Sequence, residues 1–124
     1  MESKIFTAGQ VPCSVQGVLT LCGKDISLNI VGGILPHIGA VAVAEPRASL
    51  KGDGSRSASC SVLCMLGHKD DMLAREAALR LATVTDSRTV VTVGLHVDNI
   101  DQDKINILTD NFRVIIQDCL KYLK

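Results

Sequence analysis

Apolar and polar positions alternate with a period of two along the chain as far as Leu66, and a 3.6-residue period takes over soon after. Residues 3–8 are expected to form an opening strand. From Cys13 to Leu21, Val15, Gly17, Leu19 and Leu21 share one face of a half-buried strand. Gly23-Lys24-Asp25 then turns the chain into a second strand carrying Ile26, Leu28 and Ile30, and Gly32-Gly33 breaks the pattern. A third strand is predicted from Ile38 to Ala44, ended by Glu45-Pro46 because proline has no N–H for the ladder. The stretch SLKGDGSRS, residues 49–57, reads as a mobile loop, and another strand follows from Ala58 to Leu66.

Past Gly67, the apolar stripe Ala74, Ala77, Ala78, Leu81 and Thr85 predicts a helix, with Asp70 or Asp71 as its cap. A β-branched strand from Thr89 to Val97 comes next. Asp101 and Asp103 open a long closing helix with Ile105, Leu108, Phe112, Ile115, Ile116, Cys119 and Leu123 on one face. This order predicts a single α+β domain over residues 1–124, an antiparallel β-sheet packed with two helices.

Within that order, GGILPHIGAVAVAEPR (Gly32 to Arg47) stands out, because after Ile38 its strand has only glycine, alanine and valine to pack with. Small residues at alternate positions let something lie close to the sheet, either a helix or a flat ligand. Composition sharpens the point. Apolar residues are 47% of the chain and aromatic residues 2%, so the core is aliphatic and thin, and oligomerisation is a reasonable way to add buried area. Thirteen basic residues balance thirteen acidic ones, and the absence of a basic run argues against nucleic acid as partner. MESKIFTAGQ lacks the apolar segment of a signal peptide, and no apolar run approaches the roughly 20 residues that span a bilayer. A cytoplasmic protein with no membrane partner is expected. Cys60 and Cys64, about 13 Å apart along a strand, are too distant for a disulfide, and the five cysteines read as small buried hydrophobes in a reducing compartment.

All three histidines fall at strand ends. His37 enters the small-residue strand and shares a face with Gly39; His68 follows the strand ending at Leu66; His96 shares a face of the last strand with Thr92, Gly94 and Asp98. GHKDD, residues 67–71, puts a basic residue at a helix start, where free N–H groups suit a phosphate or carboxylate. Arg47, Lys51 and Arg56 flank the loop and could close over an anion. His37, His68 and His96 also admit a zinc-enzyme reading, since catalytic zinc takes three histidines, although no HExxH or close histidine pair is present. No P-loop, GxGxxG or Ser/His/Asp spacing stands out.

Taken together, GGILPHIGAVAVAEPR, SCSVL, GHKDDMLAREAALRLA and VVTVGLHVDNI resemble the signature blocks of the prenylated-flavin chaperone family, small proteins associated with gallate and other hydroxyarylic acid decarboxylases of the UbiD type. The resemblance implies a fold similar to proteasome assembly chaperones and a non-catalytic homodimer. It also implies that the protein binds reduced prenylated FMN and helps load it into an apo UbiD-type decarboxylase. Carried onto matching positions, it points to His37, Arg47, His68, Lys69, His96 and Asp98 as cofactor-binding residues. In this reading Lys69 and Arg47 meet the phosphate, His37 and His96 hydrogen-bond the polar edge of the ring system, Gly39 and Gly94 leave space for the ring, and Ser59 is a further contributor. A ligand-free assembly protein of the same fold is the remaining alternative.

Overall fold

The computed structural model describes residues 1–65, 70–99 and 101–124. Its elements in chain order are β1 (Glu2–Ala8), β2 (Val15–Cys22), β3 (Asp25–Gly33), β4 (Ala40–Ala48), β5 (Arg56–Cys64), α1 (Asp71–Thr85), β6 (Thr89–His96) and α2 (Gln102–Leu123). The strands make one sheet in the order β1-β2-β3-β6-β4-β5. The α+β class and the two helices are as the sequence predicts, with one difference in the sheet. Pairings β1/β2, β2/β3, β4/β5 and β4/β6 are antiparallel, but β3 and β6 run parallel. After β5 the chain crosses over through α1 and re-enters the sheet between β3 and β4, as a parallel neighbour requires.

Two strand ends also differ from expectation. Gly32 and Gly33 do not break β3 but close it beside β6, with Gly33 opposite His96. A side chain at Gly33 would sit 2.0 Å from the His96 carbonyl oxygen, and its φ is +78°, so only glycine lets the strand reach that far. Pro46 lies inside β4, not after it. Beyond Ala44, β4 is paired to β5 alone, so a residue without an N–H is tolerated on the open side. The 49–57 stretch is a hairpin turn in which the Ser49 amide donates to the Ser55 carbonyl at 2.8 Å and the Asp53 carboxylate accepts from the Ser55 amide at 3.0 Å.

The packing shows why the small-residue strand exists. Ala40, Ala42 and Ala44 are fully buried, as are Ala74, Ala77, Ala78, Leu81 and Ala82 of α1, and α1 lies across β4, β5 and β6. Alanine facing alanine lets helix and sheet approach without voids. What covers the alanines is therefore the helix. On the other half of the same face, α2 buries Leu108, Phe112, Ile115, Ile116 and Cys119 against β1, β2 and β3. Gly17 makes room for it, since a Cβ there would fall 2.7 Å from Ile115 Cγ2. The Asp101 carboxylate caps α2 by accepting from the Lys104 amide at 2.9 Å, as its position before the apolar stripe predicts.

Both helices occupy one face, so the other face of the sheet is uncovered in the single chain. Ile5, Val18, Val43 and Leu63 stand exposed on it, and Thr92 Oγ1 donates to Asn29 Oδ1 across two of its strands at 2.7 Å.

Two outcomes follow for stability and reactivity. Replacing Ala42 or Ala77 by leucine overfills the α1/β4 contact and is expected to cost about 1–3 kcal/mol, read as a lower urea midpoint; an unchanged midpoint would mean that α1 can lift off the sheet freely. The cysteines are not all buried as expected: Cys13 and Cys119 are buried, while Cys22 and Cys64 are exposed. Burial pushes the Cys119 thiol up from its ordinary 9.0 to about 12, the Asp118 charge adding to it. A raised thiol favours the fold below pH about 9, and this contribution is lost as the pH climbs toward 12. A thiol reagent at pH 8 should therefore modify Cys22 and Cys64 first and reach Cys119 only on unfolding.

Candidate functional site

The residues singled out by sequence divide into three groups in space. His37 and His96 come together, their ring centroids 6.4 Å apart and their planes at 79°. The backbone before β4 brings this about, because the Gly39 amide donates to the Val93 carbonyl at 2.8 Å and so lays the entry to β4 across the end of β6. Asp98 is with them, accepting from His96 Nε2 at 2.8 Å. His68 and Lys69 lie outside the described residues.

Arg47 and Ser59 lie apart from the histidines in the single chain. Arg47 Nε donates to Ser59 Oγ at 2.8 Å, near the far end of β4. Seven strand residues of about 3.3 Å each put Arg47 some 23 Å from Ala40, at the histidine end. The two glycines are closely approached on the side where a Cβ would stand. A Cβ at Gly94 would lie 1.7 Å from the His37 carbonyl oxygen, and one at Gly39 would lie 1.9 Å from Asp70 Oδ2. The space over both glycines is filled by the chain's own atoms, so it is not open to a flat ring.

Asp70 has a role beyond the helix cap that the sequence predicts for it or for Asp71. It stands at the N-cap of α1, yet its side chain makes no capping bond. The carboxylate is buried and turns instead toward the sheet, where Oδ1 accepts from the Leu95 amide at 3.2 Å and Oδ2 lies 3.3 Å from His37 Nε2. Three elements meet on this one group: the start of α1, the end of β6 and the entry to β4.

Protons can be counted at His37. Its Nδ1 is 2.9 Å from the Leu35 carbonyl, which can only accept, so Nδ1 carries hydrogen. Nε2 then faces a carboxylate, and that contact is a hydrogen bond only if Nε2 or Asp70 carries a second proton. His96, by donating Nε2–H to Asp98, keeps Nδ1 as the acceptor in its neutral form. Among the described residues no three His, Cys, Asp or Glu side chains are grouped as metal ligands, and the three-histidine set of the zinc reading includes His68, outside them.

Around the imidazoles the surface is apolar, with Ile34, Leu35 and Ile38 exposed on both sides of His37. A shallow cavity of about 280 Å³, lined by Thr7, Ser14, Gln16, Val31, Gly33 and Pro36 among others and by neither histidine, opens on the uncovered face at the β1-β2-β3 side, where Gly33 is registered against His96. Small-molecule sites commonly measure roughly 300–1,000 Å³, so one chain alone offers room for part of a ligand of nucleotide size.

Replacing Asp70 by alanine leaves the Leu95 N–H without its acceptor and the His37 ring without its partner. The expected cost is about 1–3 kcal/mol, with faster hydrogen exchange at the Leu95 amide; an exchange rate equal to the parent's would show that this amide is held by something else.

Comparisons with known proteins agree with this architecture. A family model described as the prenylated flavin chaperone LpdD-like domain matches residues 9–124. The chain is 28% identical over 106 residues to "Protein LpdD" of Lactiplantibacillus plantarum (strain ATCC BAA-793 / NCIMB 8826 / WCFS1), covering 81% of this chain and 70% of that protein. Its fold resembles a chain from "Crystal Structure of a Novel Chaperone Complex for Yeast 20S Proteasome Assembly", with a TM-score of 0.57 and 19% identity over 99% of this chain and 96% of the other. With nearly its whole length matched, the chain belongs to the prenylated flavin chaperone LpdD-like family.

Proposed function

We propose that the protein is a carrier, not a catalyst, which binds reduced prenylated FMN in the cytoplasm and helps load it into an apo UbiD-type decarboxylase. The observation that carries this reading is the pairing of His37 and His96 at 6.4 Å, each ring against a carboxylate and bordered by exposed Ile34, Leu35 and Ile38. Polar ring nitrogens beside an apolar wall suit a flat heterocycle with a hydrogen-bonding edge and a hydrocarbon extension. His37 and His96 meet that edge; His68 and Lys69, which precede α1 in the sequence, serve the phosphate.

The small volume beside the histidines supports a site completed by a second copy. A homodimer that buries the uncovered sheet face with its strands antiparallel would carry the Arg47 and Ser59 of one copy toward the histidine end of the other. Arg47 reaches the cofactor only in that arrangement.

A ligand-free interaction protein is favoured by one observation, the filling of the space over Gly39 and Gly94 by Asp70 and His37. Anaerobic titration separates the two readings. The carrier binds reduced prenylated FMN saturably and a phosphate-truncated analogue more weakly. His37→Ala and His96→Ala each weaken binding roughly two- to tenfold, the worth of a hydrogen bond of about 0.5–1.5 kcal/mol. Absence of saturation, or identical curves for the parent and both variants, would leave the interaction protein standing.

A further inference from the structure

A groove lined by neither His37 nor His96 runs along the outer side of α1. It measures about 630 Å³ and is bounded by Met72, Leu79, Arg75, Arg80 and Val84 of α1 and by Arg113 of α2. At 100° per residue, Met72, Glu76, Leu79 and Thr83 line up along the outward face of α1, opposite the alanines buried against the sheet. Arg75 and Arg80 flank that line on opposite sides.

The charges in the groove are unequally matched. Arg113 donates two bonds to Glu76, Nε to Oε2 at 3.0 Å and NH2 to Oε1 at 3.1 Å, which neutralises the groove's carboxylate and fixes the two helices against each other. Neither Arg75 nor Arg80 is in an ion pair among the described residues. Met72, 74% exposed, lies on the line between them, and Val84, 47% exposed, lies beyond Arg80; methionine suits a site that moulds itself to a partner. From Met72 to Val84 the groove follows about 18 Å of helix, three turns and a little more.

We infer that this groove docks an acidic amphipathic helix of a partner protein, about twelve residues long. The partner's apolar stripe lies on Met72 and Leu79 and reaches Val84 past Arg80, and its carboxylates meet Arg75 and Arg80. The groove is separate from the histidine end, so docking here leaves the proposed cofactor site open and stands or falls independently of that reading.

The test uses the full chain and a fluorescein-labelled synthetic helix, leucine at positions i, i+3, i+4 and i+7 with glutamate on both flanks, followed by anisotropy. Binding is expected to saturate below about 100 μM and to weaken at least tenfold in the double variant Arg75→Glu/Arg80→Glu, whose two positions are exposed and whose fold is checked by circular dichroism. It should also weaken when ionic strength rises from about 0.05 M to 0.5 M, which shortens the screening length to a few Å. A lysine-flanked peptide that binds equally well, a double variant with an unchanged curve, or no saturation would overturn the proposal. So would a change in oligomeric mass caused by the double variant, which would assign the groove to a second copy of this chain. Reduced-flavin binding is unaffected in that variant, so failure of the groove is distinguishable from failure of the cofactor site.

Discussion

Alanine packed on alanine between α1 and β4 is the contact from which the rest of the structure is built. Because Ala40, Ala42 and Ala44 present no bulk, α1 can settle close to the sheet. That closeness brings the start of the helix within reach of the strand ends, where Asp70 takes the Leu95 amide and faces His37. A larger residue on either side would raise the helix and carry the carboxylate away from its partners. The histidine pair is thus a downstream result of side-chain volume some distance away, which is how a protein with so few aromatic residues positions polar groups firmly.

The same closeness has a second effect. By drawing both helices to one face, it leaves α1 with a fully satisfied inner side and an outward side whose apolar and cationic groups face solvent. The sheet's other face is left uncovered as well. Membership of a chaperone family gives both surfaces a context, since a chaperone must present surface to the molecules it serves.

Much of this was legible in sequence. Strand parity placed His96 with Thr92 and Gly94, and the β6 register keeps these on one face through the Val31/Gly94, Gly33/His96 and Val41/Thr92 pairs; His37 and Gly39 precede β4 and lie outside its register. The helical stripes of α1 and α2 were also plain. Three features were hidden for physical reasons. An aspartate at a helix start has the same sequence signature whether it caps the helix or reaches the sheet, so Asp70 read as a cap. Glycine marks close approach without saying what approaches, so Gly39 and Gly94 suggested a ligand where the chain's own carbonyl and carboxylate lie. The extent of β4 was masked by Pro46, whose usual meaning as a terminator depends on having neighbours on both sides; with the strand running on, Arg47 lands at the end opposite His37.

The parallel placement of β6 carries a consequence for cooperativity. No ladder joins the β1-β2-β3 ribbon to the β4-β5 ribbon except through β6, a strand whose partners in β3 lie more than sixty residues earlier, Ile26 beside Thr89. The sheet therefore cannot release this strand locally and stay whole, because its departure leaves two ribbons joined only through the helices. His96 closes that same strand, so whatever engages the imidazole pulls on the single join between them.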